Sequence, residues 1–227
     1  MAKLRWLGHA AFQITTAEGR QIYIDPWLEG NPSCPVAKGD LEVADLVLVT
    51  HDHHDHLGDA AALLAAGDAV AVGQPELIGQ LEAAGVPVEK LIGMNIGGSV
   101  EVAGVVVTMT QAFHSAARGG PVGYILTLAQ GQVIYHAGDT GIFSDMELLG
   151  KLYDIDVALL PIGSVYTMDP FQAAAAVELI SPQVVFPMHY GTFPALVQDA
   201  AEFSQLVAKR TPHVKVIVLK PGEKWEF

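Results

Sequence analysis

The sequence predicts a layered α/β sandwich in which helices cover the outer faces of two mixed β-sheets. Segments typical of short strands alternate with segments typical of helices in both halves of the 227-residue chain. Hydrophobic residues make up 51% of the chain and charged residues only 16%, so a chain of this length can bury a large core. No Ser/Gly-rich linker or low-complexity stretch divides it, and we therefore expect residues 1–227 to form a single domain.

Most of the predicted strands lie in the first 135 residues. Residues 46–49 form a continuous run of Leu and Val, which is typical of a strand buried on both faces. A helix over 75–84 is favoured by proline at its first turn and by Gly85 after its end. Residues 26–40 are rich in Pro and Gly and predict an irregular loop. The predicted strands are 3–7, 11–16, 21–24, 46–49, 99–102, 105–110, 122–128 and 132–135, and the predicted helices are 57–66 and 75–84.

The rest of the chain alternates helix with strand. Asp169-Pro170 is a favourable helix start, because Asp is a preferred N-cap and Pro fits the first helical position. The predicted helices are 144–150, 170–180 and 195–208, and the predicted strands are 157–160, 184–186 and 214–219.

The acidic composition excludes several classes of protein. Twelve Lys and Arg residues stand against 25 Asp and Glu residues, and the formal net charge is −13. Such a chain lacks the broad basic face that binds nucleic acid or an anionic membrane. The single cysteine, Cys34, excludes an internal disulfide framework. The N-terminus lacks the long apolar stretch of a signal peptide, so we expect a cytoplasmic protein.

A dense cluster of histidines follows the predicted buried strand 46–49. His51, His53, Asp55 and His56 supply nitrogen and oxygen ligands within six residues, which is the chemistry that zinc, manganese or iron requires. In a loop at a strand end, such side chains can converge on one point, as they could not on a regular helix or strand. The alternative interpretation is a solvated polar loop.

Three more candidate ligands follow other predicted strands. His114 comes after strand 105–110, Asp139 after strand 132–135, and His189 after strand 184–186. Open α/β sheets place ligands outside the carboxyl ends of their strands. Each residue alone is equally consistent with a loop cap or a hydrogen-bonded histidine, but together with the first cluster they predict one metal site.

These motifs resemble a known superfamily over nearly the whole chain, from Asp25 to His189. The pattern His51-x-His53-x-Asp55-His56, followed by His114, Asp139 and His189, is similar to the two-metal hydrolase signature of the metallo-β-lactamase superfamily. The strings LGHAAF at 7–12, GDTG at 138–141 and MHYGT at 188–192 resemble uncharacterised metal-dependent hydrolases related to L-ascorbate-6-phosphate lactonase. The resemblance implies a four-layer αββα sandwich with the metals at one edge where the sheets meet.

The resemblance also implies how two divalent ions are held. One sits on His51, His53 and His114, the second sits on Asp55, His56 and His189, and Asp139 bridges them. A bridging carboxylate holds two cations roughly 3.5–4 Å apart, a spacing at which a nucleophilic hydroxide can also bridge. Zinc is the metal we expect, although His/Asp sites also accept manganese, iron and nickel. The net positive charge of such a centre favours an anionic small-molecule substrate.

The expected reaction is hydrolysis of an ester-like bond in a lactone, a carboxylic ester or a phosphodiester. Asp55, Asp139 and His9 are the candidate catalytic residues, with His9 as proton donor or substrate contact and a structural, hydrogen-bonded histidine as its alternative. Two other functions remain open: an iron-dependent oxidoreductase acting on a sulfur compound, and a non-catalytic metal-binding module. Self-association into a homo-oligomer is also left open.

The remaining polar residues near the motifs receive more local interpretations. We expect Asp25 to brace the 51–56 loop as a hydrogen-bond acceptor, with a simple turn before Pro26 as the alternative. His54 is expected to point away from the metals, His136 to pack in the interior, and His213 to lie in a surface turn. A last group, which could shape specificity, is Tyr190, Thr192, Ser115 and Arg118.

Overall fold

Two seven-stranded β-sheets face one another in the computed structural model, which describes residues 1–227 apart from the side chain of Lys38. The first sheet has the order β14-β1-β2-β3-β4-β5-β6. Its strands are β1 (Lys3–Trp6), β2 (Phe12–Thr15), β3 (Gln21–Ile24), β4 (Leu46–Leu48), β5 (Val70–Gly73), β6 (Leu91–Gly93) and β14 (Lys224–Glu226). The strands from β3 to β6 are parallel, whereas β14, β1, β2 and β3 pair antiparallel.

The second sheet has the order β13-β12-β11-β10-β9-β8-β7 and is also mixed. Its strands are β7 (Ser99–Val102), β8 (Val105–Gln111), β9 (Val122–Thr127), β10 (Val133–His136), β11 (Val157–Pro161), β12 (Val184–Met188) and β13 (Lys215–Val216). The strands from β10 to β13 are parallel, and those from β7 to β10 are antiparallel. The predicted fold class, a sandwich of two mixed sheets with helices, is confirmed.

Six helices accompany the sheets, and short 3₁₀ turns lie at Lys38–Asp40 and Val88–Lys90. The helices are α1 (His54–Leu57), α2 (Ala60–Ala65), α3 (Pro75–Ala83), α4 (Met146–Leu152), α5 (Pro170–Ile180) and α6 (Ala201–Arg210). Helix α5 begins as predicted, because the Asp169 carboxylate accepts a hydrogen bond from the Gln172 amide at 2.7 Å. Among the described residues, no helix combines the length and apolarity needed to cross a membrane.

The side chains of the first sheet divide between two cores. Ile22 and Ile24 of β3 point into the main core between the sheets, whereas Tyr23 between them points into a second core beneath α2 and α3. Every residue of β4 is buried, as the continuous apolar run predicted. Alternation along β3 therefore follows the two-residue period of a strand covered on both faces.

Several predicted boundaries are wrong. The predicted helix 57–66 is two helices separated by Gly58, whose φ is +39° and whose position leaves no room for a Cβ beside the backbone of Trp27. The predicted helix 195–208 begins only at Ala201, since residues 195–200 form a loop held by the Gln198 side chain. The strand predicted over 214–219 is limited to Lys215–Val216. Strands β5, β6 and β14 were not predicted.

The topology brings strand ends together at one edge of the sandwich. In the first sheet β1, β3 and β4 run in the same direction, and in the second sheet β8, β10, β11 and β12 do so. An amide hydrogen bond from His189, after β12, to the carbonyl of His9, after β1, links the two sheets at this edge at 3.0 Å. The loops at these carboxyl ends carry the predicted site residues.

Candidate metal centre

All seven predicted ligands and His9 meet beside one cavity of about 640 Å³ at this edge. They form three overlapping groups whose ligand atoms lie within 4.8 Å of one another. The groups are His51, His53 and His114; His9, Asp55, His56 and His189; and His51, His56 and Asp139. We call these eight residues the histidine–aspartate cluster.

The first group consists of three ring nitrogens that converge on one point. His51 Nε2 lies 2.9 Å from His53 Nδ1, and His114 Nε2 lies 3.3 Å from the same His53 atom. His51 and His53 follow β4 of the first sheet, whereas His114 follows β8 of the second. Three imidazole nitrogens aimed at one point form a ligand set suited to a divalent transition metal.

Asp139 occupies the centre of the cluster. Its Oδ2 lies 3.0 Å from His189 Nε2, 3.2 Å from His56 Nε2 and 3.6 Å from His114 Nε2. Burial opposes its ionisation, but the neighbouring charges of His189 and His56 hold the pKa of Asp139 well below its usual value. One carboxylate oxygen is thus shared between histidines of two different groups.

Asp25 orients both His51 and His56, as the sequence predicted for a brace of this loop. Its two oxygens accept hydrogen bonds from the Thr50 amide and the Thr50 hydroxyl, each at 2.7 Å, and from His56 Nδ1 at 2.7 Å. The Thr50 hydroxyl oxygen then accepts from His51 Nδ1 at 3.0 Å. Because Nδ1 of each ring is engaged as a donor, His51 and His56 present Nε2 to the centre.

Burial and charge act in opposite directions within this brace. Burial disfavours the charged form of His56, but the carboxylates of Asp139 and Asp25 raise its pKa well above the usual value. Burial, together with the nearby charge of His56, strongly lowers the pKa of His51. The surroundings therefore shift the pKa values of the two rings in opposite directions.

The donor set fits divalent metal ions. His56 Nε2 and Asp139 Oδ1 are buried and make no hydrogen bond within the described structure. Buried polar atoms of this kind are rare in folded proteins unless another ligand satisfies them. Imidazole nitrogens and carboxylate oxygens, held by a hydrogen-bonded outer layer, are the ligands that zinc, manganese and iron take in proteins.

His9 is fully buried beside Asp55. Because an ionised Asp55 can only accept hydrogen bonds, His9 Nε2 donates to Asp55 Oδ2 at 3.2 Å. His9 Nδ1 then accepts from the Thr192 hydroxyl at 3.0 Å. Burial lowers the pKa of His9 to about 4. His9 does not line the cavity and so presents no surface to a substrate there.

Two glycines let the ligand loops approach one another. A Cβ on Gly138, immediately before Asp139, would overlap the carbonyl oxygen of Val122, and the φ of Gly138 is +63°. A Cβ on Gly163 would overlap the carbonyl oxygen of His189 and would lie 2.8 Å from its Nδ1. Both positions therefore require the absence of a side chain.

Part of the cavity wall consists of residues that no sequence motif identified. They are Tyr166, Phe193, Pro194 and Ala195, while His54 and Ser115 also line the cavity. These residues occupy loops, where no periodic pattern identifies a buried or lining face. The sequence motif that comes closest to these residues is MHYGT at 188–192, which ends one residue before Phe193.

The four residues that the sequence suggested for specificity fall into two sets by position. Ser115 lines the cavity, whereas Thr192 is buried outside the cavity lining, next to His9. Tyr190 instead stacks on Trp6, with ring centroids 5.3 Å apart, and Arg118 is exposed outside the cavity lining.

The three remaining histidines lie outside the ligand groups. His136 is fully buried, donates from Nε2 to the carbonyl of Ala10 at 3.0 Å, and accepts at Nδ1 from the Gly138 amide. His54 is exposed and lies outside the ligand groups, and His213 is exposed in a turn. Among the described histidines, eight lie at or near this edge of the sandwich and His213 does not.

The fold and the cluster are those of a metallo-β-lactamase-type protein, and comparison with known proteins agrees. The model of the beta-lactamase superfamily domain matches residues 20–190. A UPF0173 metal-dependent hydrolase of Caldivirga maquilingensis is 52% identical over 98% of this chain and 97% of its own. Another from Nitratidesulfovibrio vulgaris (strain DP4) is 48% identical over 97% of this chain and 93% of its own. The chain therefore belongs to the UPF0173 metal-dependent hydrolase family of the beta-lactamase superfamily, which confirms the resemblance drawn from its motifs.

A solved structure extends this comparison to the backbone. Igni18, a metallo hydrolase from the hyperthermophilic archaeon Ignicoccus hospitalis, is 41% identical to this chain and superposes with a TM-score of 0.90. The alignment covers 100% of this chain and 99% of Igni18. The two-sheet architecture is thus shared over the whole length.

Proposed function

We propose that this chain is a two-metal hydrolase that cleaves an ester-like bond in a small molecule. The observation that carries the proposal is the position of Asp139, whose Oδ2 lies within 3.6 Å of His56, His114 and His189. A carboxylate in reach of two ligand sets is suited to bridge two cations.

The ligands divide naturally between two ions. His51, His53 and His114 would hold the first, Asp55, His56 and His189 would hold the second, and Asp139 would contact both. Divalent ions bound there would lower the pKa of a bound water and polarise the bond that is cleaved. With zinc as the expected metal, three histidine nitrogens and one carboxylate oxygen would be available to the first ion.

The chain's own residues set the direction of these ligands. Asp25 keeps a proton on Nδ1 of His56, and Thr50 does the same for His51, so both Nε2 atoms face the centre. His9 holds Asp55 through its Nε2 proton. We therefore assign His9 as a positioning residue, in place of the proton donor or substrate contact expected from sequence.

A small-molecule substrate and a cytoplasmic location are part of the proposal. With a net charge of −13, the chain is poorly suited to nucleic acid or an anionic membrane. The cavity of about 640 Å³ has the size of a small-molecule site.

The test is to strip the protein of metal and to restore zinc, manganese, iron or nickel separately. Each form is then assayed on lactone, carboxylic ester, phosphodiester and thioester substrates. Hydrolysis that returns with two equivalents of metal supports the proposal. Oxygen consumption with a sulfur substrate and one iron per chain would favour the oxidoreductase, and metal binding with no turnover would favour a binding module.

A further inference from the structure

The cavity beside the cluster has no fixed positive charge of its own. Among the described residues that line it, none is Lys or Arg, and Arg118 in the adjacent loop lies outside the lining. Sites for phosphate monoesters and diesters commonly use Arg or Lys to hold the non-reacting oxygens. Any positive charge in this cavity would therefore come from bound metals alone. The same metals would also stabilise the negative charge that develops during hydrolysis.

One part of the cavity wall, the aromatic ring of Phe193, is firmly held. The Phe193 ring stacks on Trp27, with centroids 5.7 Å apart and planes inclined by 23°, and meets the edge of His9 at 5.4 Å. The Gln198 side chain donates to the carbonyl of Phe193 at 3.0 Å. Phe193 is therefore a half-buried, pre-organised surface rather than a mobile side chain.

This wall is tied to the cluster through the backbone. The loop that carries Phe193 leaves β12 directly after His189, and the Val197 amide donates to the carbonyl of Gly163 at 3.0 Å. Gly163 in turn packs against His189. The distance between the aromatic ring and the ligand is thus set by short, hydrogen-bonded segments.

Tyr166, which also lines the cavity, lies on a strained loop. Ser164 and Val165 have φ values of +62° and +40°, which L-residues rarely adopt, and a β-branched residue in this region is a genuine outlier. The Met168 amide donates to the carbonyl of Thr140 at 3.0 Å. This hydrogen bond connects the loop to the residue that follows Asp139. Strain of this kind is typical of loops that hold a side chain at a functional site.

We propose that the site takes an uncharged carboxylic ester or lactone whose aryl or bulky alkyl group packs against Phe193 and Tyr166 of the cavity wall. This inference rests on the proposed hydrolase function and narrows its substrate class. It departs from the anionic substrate expected from sequence, because the lining supplies apolar surface where a charged substrate would need cations. In the reaction the oxygen of water bonds to the acyl carbon, the acyl carbon–oxygen bond breaks, and a water proton passes to the leaving oxygen.

The experiment compares substrates that share one leaving group. The metal-restored protein is assayed with p-nitrophenyl phenylacetate, p-nitrophenyl acetate and the anion bis(p-nitrophenyl) phosphate. We expect kcat/KM for the phenylacetate to exceed that for the acetate by several-fold up to roughly tenfold, the value of a well-packed aromatic contact, and to exceed that for the phosphate diester as well. Phe193→Ala and Tyr166→Ala should each reduce the preference for phenylacetate over acetate several-fold. Phe171→Ala, which removes an exposed ring outside the cavity, should leave the preference unchanged.

Binding gives a second readout that does not require turnover. The uncharged amide phenylacetamide and the anion phenyl phosphate are titrated into wild-type and Phe193→Ala protein by calorimetry. We expect phenylacetamide to bind more tightly to the wild type and to lose most of its affinity in Phe193→Ala. If no ester is hydrolysed but this binding pattern holds, the hydrolase proposal fails while the pocket assignment stands. Preference for the phosphate ligands in both experiments, or an unchanged preference in Phe193→Ala, overturns the inference.

Discussion

Asp25 Oδ2 lies 2.7 Å from Nδ1 of His56, and both side chains are completely buried. The contact fixes which nitrogen of His56 faces Asp139. Since Asp25 also accepts from the amide and hydroxyl of Thr50, one carboxylate positions two of the proposed metal ligands.

Replacement of Asp25 should weaken metal binding without altering any ligand. In Asp25→Asn the amide is a weaker acceptor and His56 loses its charged partner, so we expect metal affinity to fall by roughly 10–100-fold. Competition with a chromogenic chelator measures this. Asp169→Ala is a matched control, because it removes another aspartate that accepts from a backbone amide. It should cost about 1 kcal/mol of stability and leave metal affinity intact.

Asp139→Asn tests the proposed bridge. The substitution preserves size but removes the charge that offsets the repulsion between two cations, so turnover should fall by orders of magnitude and one metal should bind more weakly. Asn serves nearly as well as Asp in a turn. If Asp139 acts only in the turn before Thr140, activity and metal content will therefore remain near those of the wild type.

Gly163→Ala should disturb the centre from outside the ligand set. Its Cβ would collide with the His189 backbone and ring, so we expect His189 to shift and both kcat and metal affinity to decrease at least tenfold. Gly79→Ala is the control, since nothing lies within 4 Å of its Cβ within helix α3. That change should stabilise the protein by roughly 0.5–1 kcal/mol in thermal unfolding, and equal effects of both variants on kcat would refute the role of Gly163.

His136 should make the metal-free protein less stable in acid. Burial lowers the pKa of His136 below the value of about 6.5 in the unfolded chain. The contribution of the neutral His136 side chain to the free energy of unfolding is therefore complete above about pH 6.5. This contribution is lost as the pH falls below that value, because the unfolded state binds the proton first. Urea unfolding between pH 7.5 and 5 should show a shallower pH dependence in His136→Gln than in wild type. His213→Gln, at an exposed site, should not change the slope.

The convergence of the cluster was predictable because it depends on local rules. His51, His114, Asp139 and His189 each follow a recognisable strand, and parallel or co-directed strands bring their carboxyl ends to one edge. The cavity wall was not predictable in the same way. Tyr166 and Phe193 lie on loops that are held by hydrogen bonds to other segments, from Met168 to Thr140 and from Val197 to Gly163, and such contacts leave no period in the sequence.

Long-range pairing explains the remaining differences in the fold. Strand β14 exists because the C-terminal residues pair with β1, with Trp225 opposite Leu4, a contact across almost the entire chain. The break at Gly58 likewise depends on the backbone of Trp27, which packs against it from a separate loop. Secondary-structure propensity within a short window of sequence contains no information about either of these long-range contacts.

The zinc content of the saturated wild-type protein is the most decisive check on the two-metal assignment. Metal-free protein is titrated with zinc, freed of excess, and analysed for zinc per chain while turnover is followed at each step. Because Asp139 lies in reach of both ligand sets, we expect two ions per chain, with full hydrolytic activity reached only near the second equivalent. Full activity at one ion per chain, with no further binding at saturation, would show that the two-metal assignment is wrong.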